Sequence, residues 1–122
     1  MKILLLMILC HIIDDFVFQP QVLSQLKQKI WWEEHAPQEM YSFDYITALF
    51  IHALSWSIMI CLPVMFVKVL SDTLLFITII TNTLIHYFVD DLKANQHKIN
   101  LTRDQLVHLV QILATWTLLY LL

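Results

Sequence analysis

The sequence predicts an all-α membrane protein: four transmembrane helices with one short amphipathic helix lying at the interface. Three observations carry that prediction. Hydrophobic residues make up 59% of the 122 residues and charged residues only 14%, whereas soluble domains run at about 45–50% apolar and about 25% charged. The apolar residues gather in four long runs separated by polar stretches. Glycine is absent, which removes the Gly-rich loops that cradle phosphates and dinucleotides. A net charge of −3 supplies no basic field for nucleic acid. The length suits a single domain, residues 1–122. Cys10 and Cys61 lie in apolar runs without CxxC spacing and read as small buried hydrophobes.

The first run covers residues 3–18. "MKILLLMILC" opens like a signal peptide, but it lacks a small-residue cleavage site and continues into His11 and Asp15. It reads as a retained membrane helix. An amphipathic helix follows at 20–34, with Pro20 opening its first turn. Val22, Leu23, Leu26, Ile30 and Trp31 recur at helical spacing. Trp31 and Trp32 beside Lys27 and Lys29 suit the headgroup layer. Pro37 ends this segment.

The second run, 45–70, is long enough to span a bilayer with tilt, a task that takes about 20 residues. A very short connection near Ser71 and Asp72 leads to the third run, 73–92. That run is rich in β-branched residues ("FITIITNTLI"), yet in lipid a helix is the default. A polar loop at about 94–104 precedes the fourth run, 106–122. The first and fourth runs are short and call for local thinning or tilt. A soluble bundle would need polar outer faces, and "LVQILATWTLLYLL" carries no charge. Lys27, Lys29, Lys93, Lys98 and Arg103 occupy the first and third loops, against Lys2 and Lys68 on the other side. The bias places those loops in the cytoplasm and both termini outside.

Two polar phrases interrupt the greasy pattern, "HIIDDF" at His11–Phe16 and "HYFVDDLK" at His86–Lys93. His11 and Asp15, His86 and Asp90, and Asp104 and His108 are all four apart, a spacing that puts each pair on one helix face. His52 adds a fourth histidine. Counted from the helix ends, all four histidines lie roughly 10–12 Å below the same face. Ionisable groups at that depth are costly and mark a functional site by default. Imidazole with carboxylate suits one or two ions of Zn²⁺, Mn²⁺ or Fe²⁺, with His11, Asp15, His52, His86, Asp90 and His108 as expected ligands.

Such a site activates water, and near the headgroup layer its natural substrate is a lipid-like or membrane-proximal phosphoester or amide. Asp104 is expected as a ligand or as the catalytic base, Lys93 as the partner of an anionic group, and Gln19 and Gln105 as orienting groups. Asp14 and Asp91 point about 100° away from the motif aspartates and are not expected ligands. Ser55 and Ser57 near His52 lack the G-x-S-x-G elbow of a nucleophile. His35 and His97 fall in loops. Two other classes fit the residues: a proton or cation translocator, and a small interaction protein with a structural metal or polar core. The far half offers little beyond Ser57, Thr73, Thr78, Thr115 and Thr117, which favours a one-sided pocket.

The phrases "HIIDDFVFQ", "HYFVDDLK" and "RDQLVH", with the lone His52, resemble a bacterial and phage membrane-protein family, the domain of unknown function numbered 3307. Its pattern is matched at His11, Asp15, Phe16 and Gln19, at His86, Asp90 and Lys93, and at Asp104, Gln105 and His108. The resemblance covers nearly the whole chain. It implies a polytopic protein of the bacterial inner membrane and supplies no activity. The layout is also similar to membrane-bound metal-dependent hydrolases that set His and Asp on neighbouring helices. Metal, substrate and oligomeric state stay open at this point.

Overall fold

The computed structural model describes residues 1–121, so Leu122, the last residue of the run predicted at 106–122, lies outside the described residues. Six α-helices and no strand are found among them: α1 (Lys2–Ile13), α2 (Gln21–Leu26), α3 (Lys29–His35), α4 (Asp44–Met65), α5 (Asp72–Ala94) and α6 (Leu101–Trp116). A π-helical turn, Asp14–Phe18, extends α1, and another, Thr117–Leu121, extends α6. The long helices form a ring in which α1 packs on α4, α4 on α5, α5 on α6 and α6 back on α1. α2 and α3 lie against α4.

All four predicted runs are helical, with three shifts of boundary. The amphipathic helix expected at 20–34 is two helices, broken at Lys27 and Gln28, where Gln28 turns extended (φ −96°, ψ 120°). The cause is Lys27, whose side chain is drawn into the bundle. The run expected to reach residue 70 stops at Met65. Pro63 withholds the N–H that the carbonyl of Met59 would accept, and the chain turns through Lys68, whose N–H reaches the carbonyl of Val64 at 2.9 Å. The fourth helix begins at Leu101, inside the stretch predicted as loop, because the Asn100 side chain caps the N–H of Arg103 at 3.0 Å. Ser71 caps α5 in the same way.

Burial is inverted relative to a soluble bundle. Large apolar side chains cover the outside, among them Leu5 and Leu9 on α1, Ile51 and Ile58 on α4, Phe76 and Phe88 on α5, and Val110 and Leu113 on α6. Two helical stretches, Glu39–Met65 and Asp72–Ala94, are long and apolar enough to cross a membrane. The interior divides in two. At the end where α1 and α6 pass the middle of α4, Met7, Trp56, Ile60, Cys61, Val64, Ile112 and Leu119 form an apolar core. Toward the loops that carry α2 and α3, the same helices bury histidines, aspartates and a lysine.

Candidate functional site

Each of the four histidines reaches the interior because it lies on the inner stripe of its helix, and all four are at most 3% exposed. His86 is the centre of a stack. Its ring lies 4.3 Å from Trp56 and 4.1 Å from His108, tilted 26° and 23°. His52 meets it at a tilt of 56°, with the two Nε2 atoms 3.2 Å apart. His11 packs at the side, 5.7 Å from Trp56 and 5.8 Å from His108.

Hydrogen bonds assign roles to two of these rings. The indole N–H of Trp56, a donor only, donates to His11 Nδ1 at 2.8 Å. Nε2 of His11 therefore carries the proton of the neutral ring and donates to Gln105 Oε1 at 3.0 Å. Both nitrogens of His11 are thus engaged in hydrogen bonds. Gln111 donates through Nε2 to the carbonyl and side-chain oxygens of Asn82, both at 3.2 Å. Its Oε1 thus faces His108 Nδ1 at 3.1 Å, making Nδ1 the donor. Nε2 of His108 is then turned toward Asp104 Oδ1 at 3.3 Å and Asp90 Oδ1 at 3.7 Å, with no hydrogen-bond partner.

The carboxylates gather around these rings. Asp90, 2% exposed, places Oδ2 3.4 Å from His52 Nε2 and Oδ1 3.7 Å from His86 Nε2. Asp15 Oδ1 lies 3.5 Å from His52 Nε2 and is buried without a hydrogen bond. Asp104 is fully buried, its Oδ2 held by Lys93 at 2.6 Å and by Gln105 at 3.1 Å. Asp14, expected to point away, is turned inward instead. Its Oδ1 accepts from Ser55 at 2.8 Å and its Oδ2 lies 3.8 Å from His52 Nδ1. The π-helical turn that begins at Asp14 is the cause, because a wider turn narrows the angle between successive side chains. Asp91 faces the other way, accepting from Asn95 and Gln96.

Two groups qualify by proximity as metal-holding sets, Asp15 with His52 and His86, and His86 with Asp90 and His108. In tetrahedral coordination with bonds of about 2.0–2.1 Å, ligand atoms stand about 3.3 Å apart. The three separations from His52 Nε2, 3.2 Å to His86 Nε2, 3.5 Å to Asp15 Oδ1 and 3.4 Å to Asp90 Oδ2, match that edge. Charge points the same way. Asp14, Asp15, Asp90 and Asp104 face only two ammonium groups, Lys27 and Lys93. The carboxylates outnumber the ammonium groups by two, and His108, with Nδ1 donating to Gln111 and Nε2 facing Asp104 and Asp90, offsets one of them when protonated; the remaining buried excess calls for a further cation or proton.

Lys27 is the residue that sequence reasoning placed elsewhere. Rather than lying among headgroups it is 4% exposed and donates to Asp90 Oδ2 at 2.7 Å. Asn95 aims it. Its side chain accepts from the N–H of Lys29 at 2.7 Å and donates to the carbonyl of Lys27 at 3.1 Å, clamping the break between α2 and α3 to the end of α5. Trp56, Asn82 and Gln111 were also missed. The two amides were legible as polar interruptions of apolar runs, but Trp56 gives no such signal. His35 stacks on Trp31 at the surface, and His97 sits beyond α5 with φ 53°, far from the cluster in role if not in sequence.

The cluster opens to a cleft of about 150 Å³ lined by Asp15, Gln19, Lys27, His52, Asp90, Lys93 and Gln105, with Phe16 and Leu101 as apolar walls. Asp104, His86 and His108 lie behind it. No match is found among curated proteins or among solved structures. The family described as "Protein of unknown function (DUF3307)" matches residues 3–122, and the chain belongs to that family.

Proposed function

We propose that this is a four-span membrane protein that holds a divalent ion with His52, His86, Asp15 and Asp90, and that it hydrolyses a phosphoester or amide at the membrane surface. The carrying observation is the convergence of His52, His86, Asp15 and Asp90 in a buried, acid-rich cluster beside an open cleft. Both candidate ligand groups share His86, which favours one ion over two. Such an ion polarises substrate and lowers the pKa of water. Around it, His11 and Gln105 orient Asp15, and Asp104 with Lys93 orients His108. Asp104, expected as ligand or base, lies behind the cleft with Oδ2 held by Lys93 and Gln105, and in this reading it positions His108 rather than taking the water proton.

The apolar exterior of α1 and α6 supports four spans, although only two helices reach spanning length and composition. The lysine and arginine bias supports a cytoplasmic position for the cleft. A conduit is disfavoured, since α5 carries no ionisable side chain between Asp72 and His86, and α6 none between His108 and Tyr120. A closed structural metal site is disfavoured by the cleft.

Metal analysis of the protein purified in detergent tests the reading. Wild type should carry about one equivalent of Zn, Mn or Fe, and His86→Ala should lose it. Incubation with bacterial lipid extract and a panel of small phosphoesters and amides, read by mass spectrometry, should show turnover that falls at least a hundredfold in Asp15→Asn. Wild type without metal, or metal without any product, would remove the hydrolase.

A further inference from the structure

Lys27 and Lys93 reach the cleft from different elements, one from the break between α2 and α3 and the other from the end of α5, and both lie at Asp90, 2.7 Å from Oδ2 and 3.9 Å from Oδ1. Each ammonium has three N–H donors. The structure gives each a single hydrogen bond to a side chain, Lys27 to Asp90 and Lys93 to Asp104. Both line the cleft, where the amide of Gln19 is a further donor, the Nε2 of Gln105 being already given to Asp15 and Asp104. Lys27 holds the same Asp90 oxygen that lies 3.4 Å from His52 Nε2. A divalent ion at that edge competes with the ammonium for the oxygen, and an ammonium that loses its carboxylate inside a cleft of about 150 Å³ requires another anion.

We infer that Lys27 and Lys93 form an oxyanion-binding site in the cleft, completed when a divalent ion takes up the charge of Asp90, and that its ligand is the phosphate of a phosphoester. This rests on the ion site proposed above and names the substrate class it would serve. Phosphate fits better than carboxylate because the donors converge from several elements, and because lysine binds phosphate as a point charge whereas planar carboxylates favour the arginine fork. The one arginine, Arg103, is exposed and does not line the cleft. The amide half of the earlier substrate reading is thereby set aside. The phosphate can come from a lipid headgroup or from a soluble ester, since the cleft lies at the end of the bundle and its walls include Phe16 and Leu101.

The test uses the full chain in neutral-lipid nanodiscs with Mn²⁺ as the ion. Paramagnetic broadening of ³¹P resonances then reports phosphate near the bound ion. Inorganic phosphate, glycerol phosphate and phosphatidic acid built into the disc serve as separate probes. Wild type should bind Mn²⁺ and broaden at least one of them. Broadening of the soluble probes alone identifies a soluble ester, and broadening of phosphatidic acid alone identifies a headgroup; either supports the site. Lys27→Met should bind Mn²⁺ at least as tightly as wild type, because a competing cation is gone, and should lose phosphate affinity tenfold or more. Lys27→Arg should retain most of it. Lys27→Met leaves Asp90 unpaired, so it is purified with Mn²⁺ present. Lys93→Met, at the more exposed ammonium, gives a second variant expected to lose phosphate affinity with Mn²⁺ stoichiometry unchanged. Phosphate binding indifferent to both lysines, or no broadening of any probe by Mn²⁺-loaded wild type, overturns the anion site and leaves the ion site standing. Failure of wild type to bind Mn²⁺ or Zn²⁺ removes the ion site and the anion site together.

Discussion

The two halves of the bundle interior are built from the same helices and obey opposite rules. Around Ile60, Cys61, Val64, Ile112 and Leu119 the packing is apolar. Its few polar neighbours are paired, as where Ser57 donates to the carbonyl of Ala53 and Asn82 to Thr115, with the indole N–H of Trp116 as the exception. One to three turns away, four carboxylates crowd four buried imidazoles, and Asp14, Asp15, Asp104, His86 and His108 each keep a buried atom without a partner. Native interiors hold few such atoms. The first half supplies stability and the second consumes it. A fold tolerates such a region when the unsatisfied groups act on something else, here the proposed ion and its substrate.

Trp56 joins the halves, and its removal should have the largest effect. It is fully buried in the apolar cluster and donates to His11. Trp56→Ala should cost about 3–5 kcal/mol from the cavity and about 1 more from the unpaired imidazole. SDS-titrated unfolding in mixed micelles measures this, and a loss below about 2 kcal/mol would break the division of labour drawn above. Next comes the pair of Asp90 and Lys27. Asp90→Asn without metal should cost about 3 kcal/mol, the low end for a broken buried pair because the ammonium can turn to the cleft. Combining Asp90→Leu with Lys27→Met should recover most of that loss while abolishing metal binding. A double variant no more stable than the single would mean that the pair holds the fold together and the polar half is structural.

How far this contrast could be read from sequence differs between the halves. The length and apolarity of the four runs located every long helix, since the backbone of so apolar a stretch satisfies its own hydrogen bonds most simply as a helix. The repeated His–Asp spacing, at His11 and Asp15, His86 and Asp90, and Asp104 and His108, put each pair on one helix face, and matched depth added His52; all of these side chains turn to the interior. What spacing cannot supply is the direction of a long or adaptable side chain. Lys27 follows the same amphipathic pattern whether it snorkels to water or turns inward, and only the clamp by Asn95 decides between them. Asp14 depends on a π-helical turn that leaves no mark in the pattern, and the indole that engages His11 leaves none either.

The clamp gives the third prediction. Asn95→Ala removes two hydrogen bonds to the 27–29 backbone and should cost about 1–2 kcal/mol. Its more telling readout is local. Lys27 should become reactive toward an amine-modifying reagent that leaves it untouched in wild type, with Lys2 and Lys68 unchanged. Equal protection of Lys27 in both proteins would show that Asp90 alone holds the lysine inside.

The smallest expected effect separates the halves most cleanly, because it compares one residue type at two neighbouring positions of α4. Ser57, fully buried, donates to the carbonyl of Ala53 within its own helix. That carbonyl already belongs to the helical ladder, and such back-bonding by serine slightly destabilises helices. Ser57→Ala should therefore change stability by no more than about 0.5 kcal/mol. Ser55, two residues earlier, gives its proton to Asp14 Oδ1, and Asp14 Oδ2 has no partner at all. Ser55→Ala strips a buried carboxylate of its one side-chain donor and should cost about 1–3 kcal/mol in metal-free protein. Added divalent ion should narrow the gap, since positive charge near His52 compensates Asp14 across the 3.8 Å that separates them. Equal costs for the two serines, with or without the ion, would mean that the carboxylate end of the interior is as self-sufficient as the apolar end, and the case for an ion there would lose its energetic basis.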